Sequence, residues 1–342
     1  MKSSIIIPTF NRSFSLRNTI ESLLNSKSSP HNYEIIIVDN ASTDSTKQFA
    51  ESIIRLNPQQ DIRYYYEPIP GSLSARHKGA LESKGDILIF IDDDIVAASE
   101  WLEAIIETFN DPAVHLVGGK SLPMFDSQPP EWLEAFWFRE MGRNWCAYLS
   151  ILDFGDQLAE IDPIYVWSLN YAIRRETLFE LGGFHPDYVP KPFEQYQGDG
   201  ETGLAWKVQA KGLKIMYQPR ALVHHIIPDQ RLTIEYFEKR MFFGGIFDSY
   251  TTIRRNQGMK FNWKMQEPFP QIKRTVNRVV GKLSGDPHAQ IKQRVRGAWL
   301  EGYKFHQREV RQDSALLMWV LQNSYFDYRY GPFRNNEPSS SR

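Results

Sequence analysis

The chain has 342 residues, 42% of them hydrophobic, and a formal net charge of -1. That length and apolar content suit one large core or a core with an appended lobe, and the near-neutral charge argues against nucleic acid as a partner. A single cysteine, Cys146, excludes an internal disulfide, leaves too few thiolates for a structural zinc site, and fits a reducing cytoplasm. No run approaches the roughly 20 apolar residues of a membrane span, and the N-terminal isoleucine triplet is too short for a signal-peptide core, so neither export nor membrane crossing is expected.

In chain order, residues 4–10, 33–40, 62–67 and 86–93 are short apolar runs rich in β-branched or aromatic side chains, and read as strands. Between them 13–26, 42–56 and 72–84 carry apolar residues at helical spacing, with Ser42 a candidate N-cap for the second and Gly71 or Ser72 opening the third. Strand and helix alternating in this way imply parallel strands covered on both faces, hence a doubly wound, mostly parallel, Rossmann-like α/β sheet. Over 113–165 a strand gives way to an irregular insertion rich in Pro, Gly and Trp. A strand at 164–175, a short helix at 176–184, a helix at 198–212 closed by Gly212 and a strand pair at 214–226 follow. Residues 232–250 and 314–331 have the pattern of amphipathic helices, which either pack on the preceding domain or serve membrane-surface docking or self-association into a homo-oligomer. Residues 271–311 are strongly basic, either a solvated helix face or a surface for anionic lipid or an acidic acceptor.

Ligands of such sheets bind at the carboxyl ends of the strands, and here those ends are polar. The first ends in "PTFNR", the second in Asp39 and Asn40, the third near Glu67, and the fourth in Asp92, Asp93 and Asp94. Adjacent carboxylates repel unless a cation or a ligand with donors neutralises them, and hard oxygen ligands suit magnesium or manganese. Alternation along the strand sends Asp92 and Asp94 to one side and Asp93 to the other, toward the scaffold. A helix cap or loop cluster is the alternative for these acids, as it is for Asp39.

The succession "SIIIPTFNR", "EIIIVDNASTDST", "GSLSARHKGALESKGDILIFIDDDI", "GDGETGLAWKVQAKG" and "PRALVHH" resembles the family 2 glycosyltransferases over about residues 1–240, most specifically in its first hundred. The resemblance implies a GT-A fold, inversion at the anomeric carbon, a nucleoside diphosphate sugar as donor with UDP favoured, and a divalent manganese or magnesium ion. It places the nucleotide over Pro8, Thr9, Asn11, Arg12, Asp39 and Asn40, with Arg76 as a charged contact and Asp92 and Asp93 alongside. Asp94 and Asp92 become metal ligands, joined by His225 in preference to His224, because Pro219, Ala221, Val223 and His225 follow the family's two-residue steps. Asn170 and Trp167 fall on the strand beneath the donor sugar. Glu201 takes the place of the general base, with Asp199 as the alternative. The sequence departs from the family here: Gly200 stands where the first acid of an adjacent pair is expected.

The same resemblance implies a glycan or lipid-linked oligosaccharide acceptor in surface polysaccharide synthesis, met in the cytoplasm or at the inner face of the membrane. Trp132, Trp137 and Trp145 are either sugar platforms or core residues. The expected organisation is a catalytic domain over 1–230, with a nucleotide-binding half at 1–112 and a donor-sugar and acceptor half at 113–230. A helical region at 231–334 and a disordered tail at 335–342 complete it. Because of Gly200, a non-catalytic module that binds sugar nucleotides or glycans stays open. A sugar nucleotidyltransferase is disfavoured, since "PTFNRSFS" lacks the glycines that cradle a triphosphate.

Overall fold

The N-terminal apolar runs become parallel strands because each is followed by a helix that returns the chain to the same end of the sheet. In the computed structural model, residues 1–25, 33–259, 286–326 and 331–332 are described. β1 (Ser3–Thr9), β2 (Tyr33–Asp39), β3 (Asp61–Tyr66) and β4 (Ile87–Ile91) alternate with α1 (Ser13–Leu24), α2 (Thr46–Leu56) and α3 (Ser72–Glu82). β1 pairs in parallel with β2 on one side and β4 on the other, and the register that sets Thr9 beside Asp39 brings their carboxyl ends level. β2 and β4 are buried along their whole length, which their unbroken apolar runs anticipate.

Beyond β4 the sheet changes direction. β5 (Ile95–Ala97), α4 (Trp101–Thr108) and the long β6 (Val114–Phe125) come next. The short strands β7 (Phe138–Glu140), β8 (Arg143–Cys146), β9 (Ile151–Asp153) and β10 (Ala159–Glu160) make up the insertion. β11 (Asn170–Arg174) then enters antiparallel between β4 and β6. The strand expected at 164–175 starts only at Asn170, because residues 163–165 form a 3-10 turn whose Ile164 N–H is capped by the Asp162 side chain. α5 (Arg175–Glu180) and α6 (Gly200–Ala210) lead to β12 (Lys214–Ile227). β12 is one long strand and not the expected pair. Its register on β6 breaks between Gln218 and Val223, an irregularity that accommodates Pro219 without a ladder N–H.

α2 also starts later than expected. Ser42 does not cap it; the backbone N–H groups of Ser42, Thr43 and Asp44 instead donate to Asp39 and Asn11, closing the loop above the strand ends.

The C-terminal helices are α7 (Ile234–Arg255), capped by Thr233, then α8 (Ala289–Gln312) and α9 (Ser314–Leu321), capped by Asp313. α7 and α8 cross backbone to backbone. A Cβ on Gly245 would overlap the Trp299 carbonyl, and one on Gly302 the Phe242 carbonyl, so only glycine permits the approach. Tyr250, Ile253, Leu316, Trp319 and Tyr325 share one apolar core with Leu88, Phe90 and Tyr171 of the sheet, so these helices pack on the domain before them. Lys273, Arg274, Arg278, Lys282 and the tail 335–342 lie outside the described residues; of the remaining basic stretch, Lys292 pairs with Asp286 and Arg294 with Glu238. Among the described residues no helix is long and apolar enough to cross a membrane. Cys146 is buried, and burial pushes its thiol up to about 12.

Candidate active site

β4 stops at Ile91, so the three acids lie on the turn into β5, outside the pleat. Each meets an arginine from a different element. Asp92 Oδ1 is 3.7 Å from Arg76 Nη2 on α3. Asp93 accepts from Thr9 Oγ1 at 2.6 Å and from Arg12 Nη1 at 3.0 Å. Asp94 Oδ2 accepts from the same Arg12 Nη1 at 2.8 Å and from Arg231 Nη2 at 2.6 Å. The expected alternation is therefore corrected: Asp93 and Asp94 converge on one guanidinium, because strand geometry has already ended. Burial raises the Asp93 carboxyl to about 7. Burial would raise Asp94 too, but His225, Arg231 and Arg12 outweigh it and hold that carboxyl well below the usual range.

His225 reaches Asp94 because β12 pairs with β5 in the register that sets His225 beside Ile95, and the Ile226 N–H donates to the Asp94 carbonyl at 2.8 Å. The His225 Nδ1–H donates to the Leu149 carbonyl at 2.8 Å, which leaves Nε2 on the side of Asp94. That nitrogen lies 3.5 Å from Asp94 Oδ1, a buried oxygen with no hydrogen-bond partner. An imidazole nitrogen and an orphaned carboxylate oxygen together form a donor set that fits a divalent cation. Among the described residues no three His, Cys, Asp or Glu gather closely enough to cage one. Two protein ligands, with phosphate oxygens and water for the rest, suit magnesium or manganese. Of the expected trio, Asp94 and His225 lie together while Asp92 faces Arg76. Arg231 Nη1 donates to His225 Nε2 at 2.7 Å, so its guanidinium now engages both members of that pair.

Arg76 forms the second centre. It is buried, donates to Ser168 Oγ at 2.7 Å, faces Asp92 and lies 3.6 Å from Asp187 Oδ2, yet its Nε and Nη1 have no acceptor. Leaving such donors unmet costs about 1–3 kcal/mol each, which an incoming oxygen ligand would recover. Glu201, in the first turn of α6, accepts from the Ser168 N–H at 3.1 Å. Its carboxyl is raised, first by burial and then by the Asp187 charge, with Arg76 opposing.

Residues 4–156 match the family model described as Glycosyl transferase family 2. Over those residues, the N-terminal part of the chain belongs to that family. It is 23% identical over 248 residues to the glucosyl-dolichyl phosphate glucuronosyltransferase of Haloferax volcanii, covering 72% of this chain and 75% of that one. It is 25% identical to the pre-mycofactocin glycosyltransferase of Mycobacterium tuberculosis over 71% of this chain, and spans about half of that relative, 46%. With the succinoglycan biosynthesis protein ExoM of Rhizobium meliloti it shares 24% identity, covering 68% of this chain and 69% of that one. The mannosyltransferase of Pyrobaculum calidifontis, solved with GDP-Man and Mn2+, superposes with a TM-score of 0.56 at 17% identity over 93% of this chain and 85% of that one, which shows a GT-A-like fold.

Within this glycosyltransferase, several residues expected to touch ligand are spent on the scaffold. The Asn170 amide accepts from Trp101 Nε1 and donates to the Lys120 and Ala221 carbonyls, so it is corrected from donor-sugar contact to core. Trp167 packs against the core and donates to the Ile164 carbonyl. Asn40 binds the Glu67 and Ile69 carbonyls and the Gly71 N–H. Asn11 and Asp39 hold the loop before α2, and Asp39 also accepts from Tyr64 OH at 2.7 Å. Asp199 is buried against His185 at 2.5 Å and Thr251 at 2.9 Å, tying α6 to α7 and leaving Glu201 as the acid beside Arg76. Trp132 and Trp145 pack among Phe136, Phe237, Phe138 and Phe154. Pro8 is part-exposed at the end of β1. Asp187 and Arg231 escaped the sequence reading. Only Arg231 carried a signal, as a cation six residues beyond His225 in "HHIIPDQR".

Proposed function

We propose that the chain transfers a hexose from a UDP-sugar, with inversion, to a glycan or lipid-linked oligosaccharide in surface polysaccharide synthesis. The observation that carries this reading is Glu201: a carboxyl of raised proton affinity, oriented by the Ser168 N–H, beside a buried arginine with free donors. A base of that kind takes the acceptor hydroxyl proton as the oxygen bonds to the anomeric carbon, help worth about 10²–10⁴ in rate. The bond from that carbon to the diphosphate breaks, and its electron pair leaves on the diphosphate. Arg12 and Arg231 stand where they can face the departing negative charge. A manganese or magnesium ion held by Asp94 and His225 would supply Lewis-acid stabilisation of the same charge. The names of the dolichyl phosphate and succinoglycan relatives support the lipid-linked or polysaccharide acceptor. With such an acceptor, the protein works at the inner membrane surface.

The test is calorimetric titration with UDP, GDP and dTDP, each with manganese and with EDTA, followed by transfer assays of Glu201→Gln with the matching sugar nucleotides. Manganese-dependent binding of UDP, kept by Glu201→Gln while transfer is lost by about 100-fold or more, is the expected result. Preference for GDP or dTDP overturns the donor, and normal transfer by Glu201→Gln overturns the base.

A further inference from the structure

We infer that Asp187 is a second acid of the site, a positioning residue that reaches into the space left open by Gly200 and sets how strongly Glu201 holds its proton. The inference rests on the reading of Glu201 as general base. Gly200 has a φ of +52°, and a Cβ there would lie 3.3 Å from Cβ, Cγ and Oδ2 of Asp187. Space that a side chain at 200 would enter is thus filled by a carboxylate from thirteen positions earlier. The backbone fixes this arrangement, because the His185 N–H donates to the Gly200 carbonyl at 3.1 Å and the Gly200 N–H to the Pro186 carbonyl at 3.3 Å.

The Asp187 carboxylate is also oriented. Its Oδ1 accepts from the Tyr188 N–H at 2.9 Å and from Gln197 Nε2 at 2.7 Å, leaving Oδ2 toward Arg76 Nη1 at 3.6 Å. The side chain keeps 18% exposure, so it stands at the wall of the cleft. Asp92, Asp187 and Glu201 therefore crowd around the buried Arg76 guanidinium, with Arg240 as a second cation facing Asp187 and Glu201. Glu201 is faced by Arg76 from α3, Asp187 from the loop before α6, Tyr171 from β11 and Arg240 from α7. Of these only Asp187 adds negative charge at neutral pH, and like charge disfavours the ionised form of a neighbour. Removing it should make Glu201 a weaker base that ionises at lower pH.

The experiment titrates protein carrying [δ-13C]glutamate by NMR, with the Glu201 resonance identified by its loss in Glu201→Gln. Asp187→Asn keeps an Oδ1 acceptor for Tyr188 and Gln197 but removes the charge. Its Glu201 midpoint is expected to fall by about one pH unit or more, and Asp187→Glu to restore most of that shift. Should Asp187→Asn not fold, Asp187→Ser makes the same comparison. A midpoint that stays within about 0.3 unit of wild type in a folded neutral variant overturns the inference, since a merely structural Asp187 would leave it there. The two failures separate: normal transfer by Glu201→Gln sinks the base itself, whereas an inactive Glu201→Gln with an unmoved midpoint sinks only the role of Asp187.

Discussion

Arg231→Met should tighten manganese binding to the nucleotide-free protein. The guanidinium lies 2.6 Å from Asp94 Oδ2 and 2.7 Å from His225 Nε2, the two groups that fit a cation. A unit positive charge about 4 Å from a bound divalent ion opposes it by ~8 kcal/mol at an effective dielectric near 20. Wild type escapes that opposition only by moving the side chain off two hydrogen bonds to charged or polar partners, each worth about 1.5–3 kcal/mol. Either route leaves a handicap of at least about 1.4–2.8 kcal/mol, which converts to a 10- to 100-fold gain in affinity for the variant. The gain has a counterpart in stability. Asp94 keeps Arg12, so the loss should be smaller than the about 3–5 kcal/mol of an abandoned buried charge. Electron paramagnetic resonance of free manganese reads the affinity directly, and a thermal melt at the same pH reads the stability. Equal or weaker manganese binding by a folded Arg231→Met would show that Arg231 supports the cation site, and the reasoning would fail.

Asn170→Ala should cost about 2–4 kcal/mol, because it strands Trp101 Nε1 and two buried carbonyls, yet leave nucleotide affinity within twofold of wild type. Calorimetry and denaturant titration decide; a large affinity loss with little destabilisation would return Asn170 to the donor site. The Asp93 carboxyl, at about 7 in the fold against about 3.9 unfolded, binds more protons in the native state between those values. Its stabilising contribution is thus full below about pH 4 and lost as pH rises toward 7, so Asp93→Asn should flatten the fall in melting temperature across that window. Asp94, whose folded carboxyl is depressed, works in the opposite sense and loses its contribution as pH falls below about 4. Parallel melting curves for wild type and Asp93→Asn from about pH 4 to 7 would contradict the assignment.

What the sequence made legible follows from where periodicity acts. β1, β2 and β4 were readable because burial on both faces leaves an unbroken apolar run. His225 is singled out because alternation lets one of two adjacent histidines face the cleft and the family resemblance points to the second, whose ring lies beside Asp94. The antiparallel entry of β11 was not readable, since an apolar run carries no mark of its direction. Asn170 is placed at the donor sugar by the resemblance alone, which carries no sign that its amide is taken up by Trp101, Lys120 and Ala221 from three other segments. Asp187 and Arg231 sit on irregular backbone, where spacing fixes no direction, and only tertiary contacts bring them to Arg76 and Asp94.

Three carboxylates in a row are tolerable in this protein because Arg12, Arg76 and Arg231 meet them from separate elements. That compensation constrains how ligands enter. A diphosphate binding alone would compete with Asp93 and Asp94 for Arg12 and Arg231, leaving buried acids without partners. A cation binding alone would take Asp94 and His225 and displace Arg231 from both, leaving a guanidinium without its acid. If both bind as proposed, the two ligands would exchange partners with the protein, arginines to phosphate and Asp94 to the metal, and no charge would be stranded. The exchange would make the two affinities interdependent, and linkage requires each ligand to tighten the other by the same factor. Arg231 would carry much of that coupling because it bridges Asp94 and His225. Its replacement by methionine should therefore raise metal affinity in the empty protein and shrink the further gain that nucleotide brings.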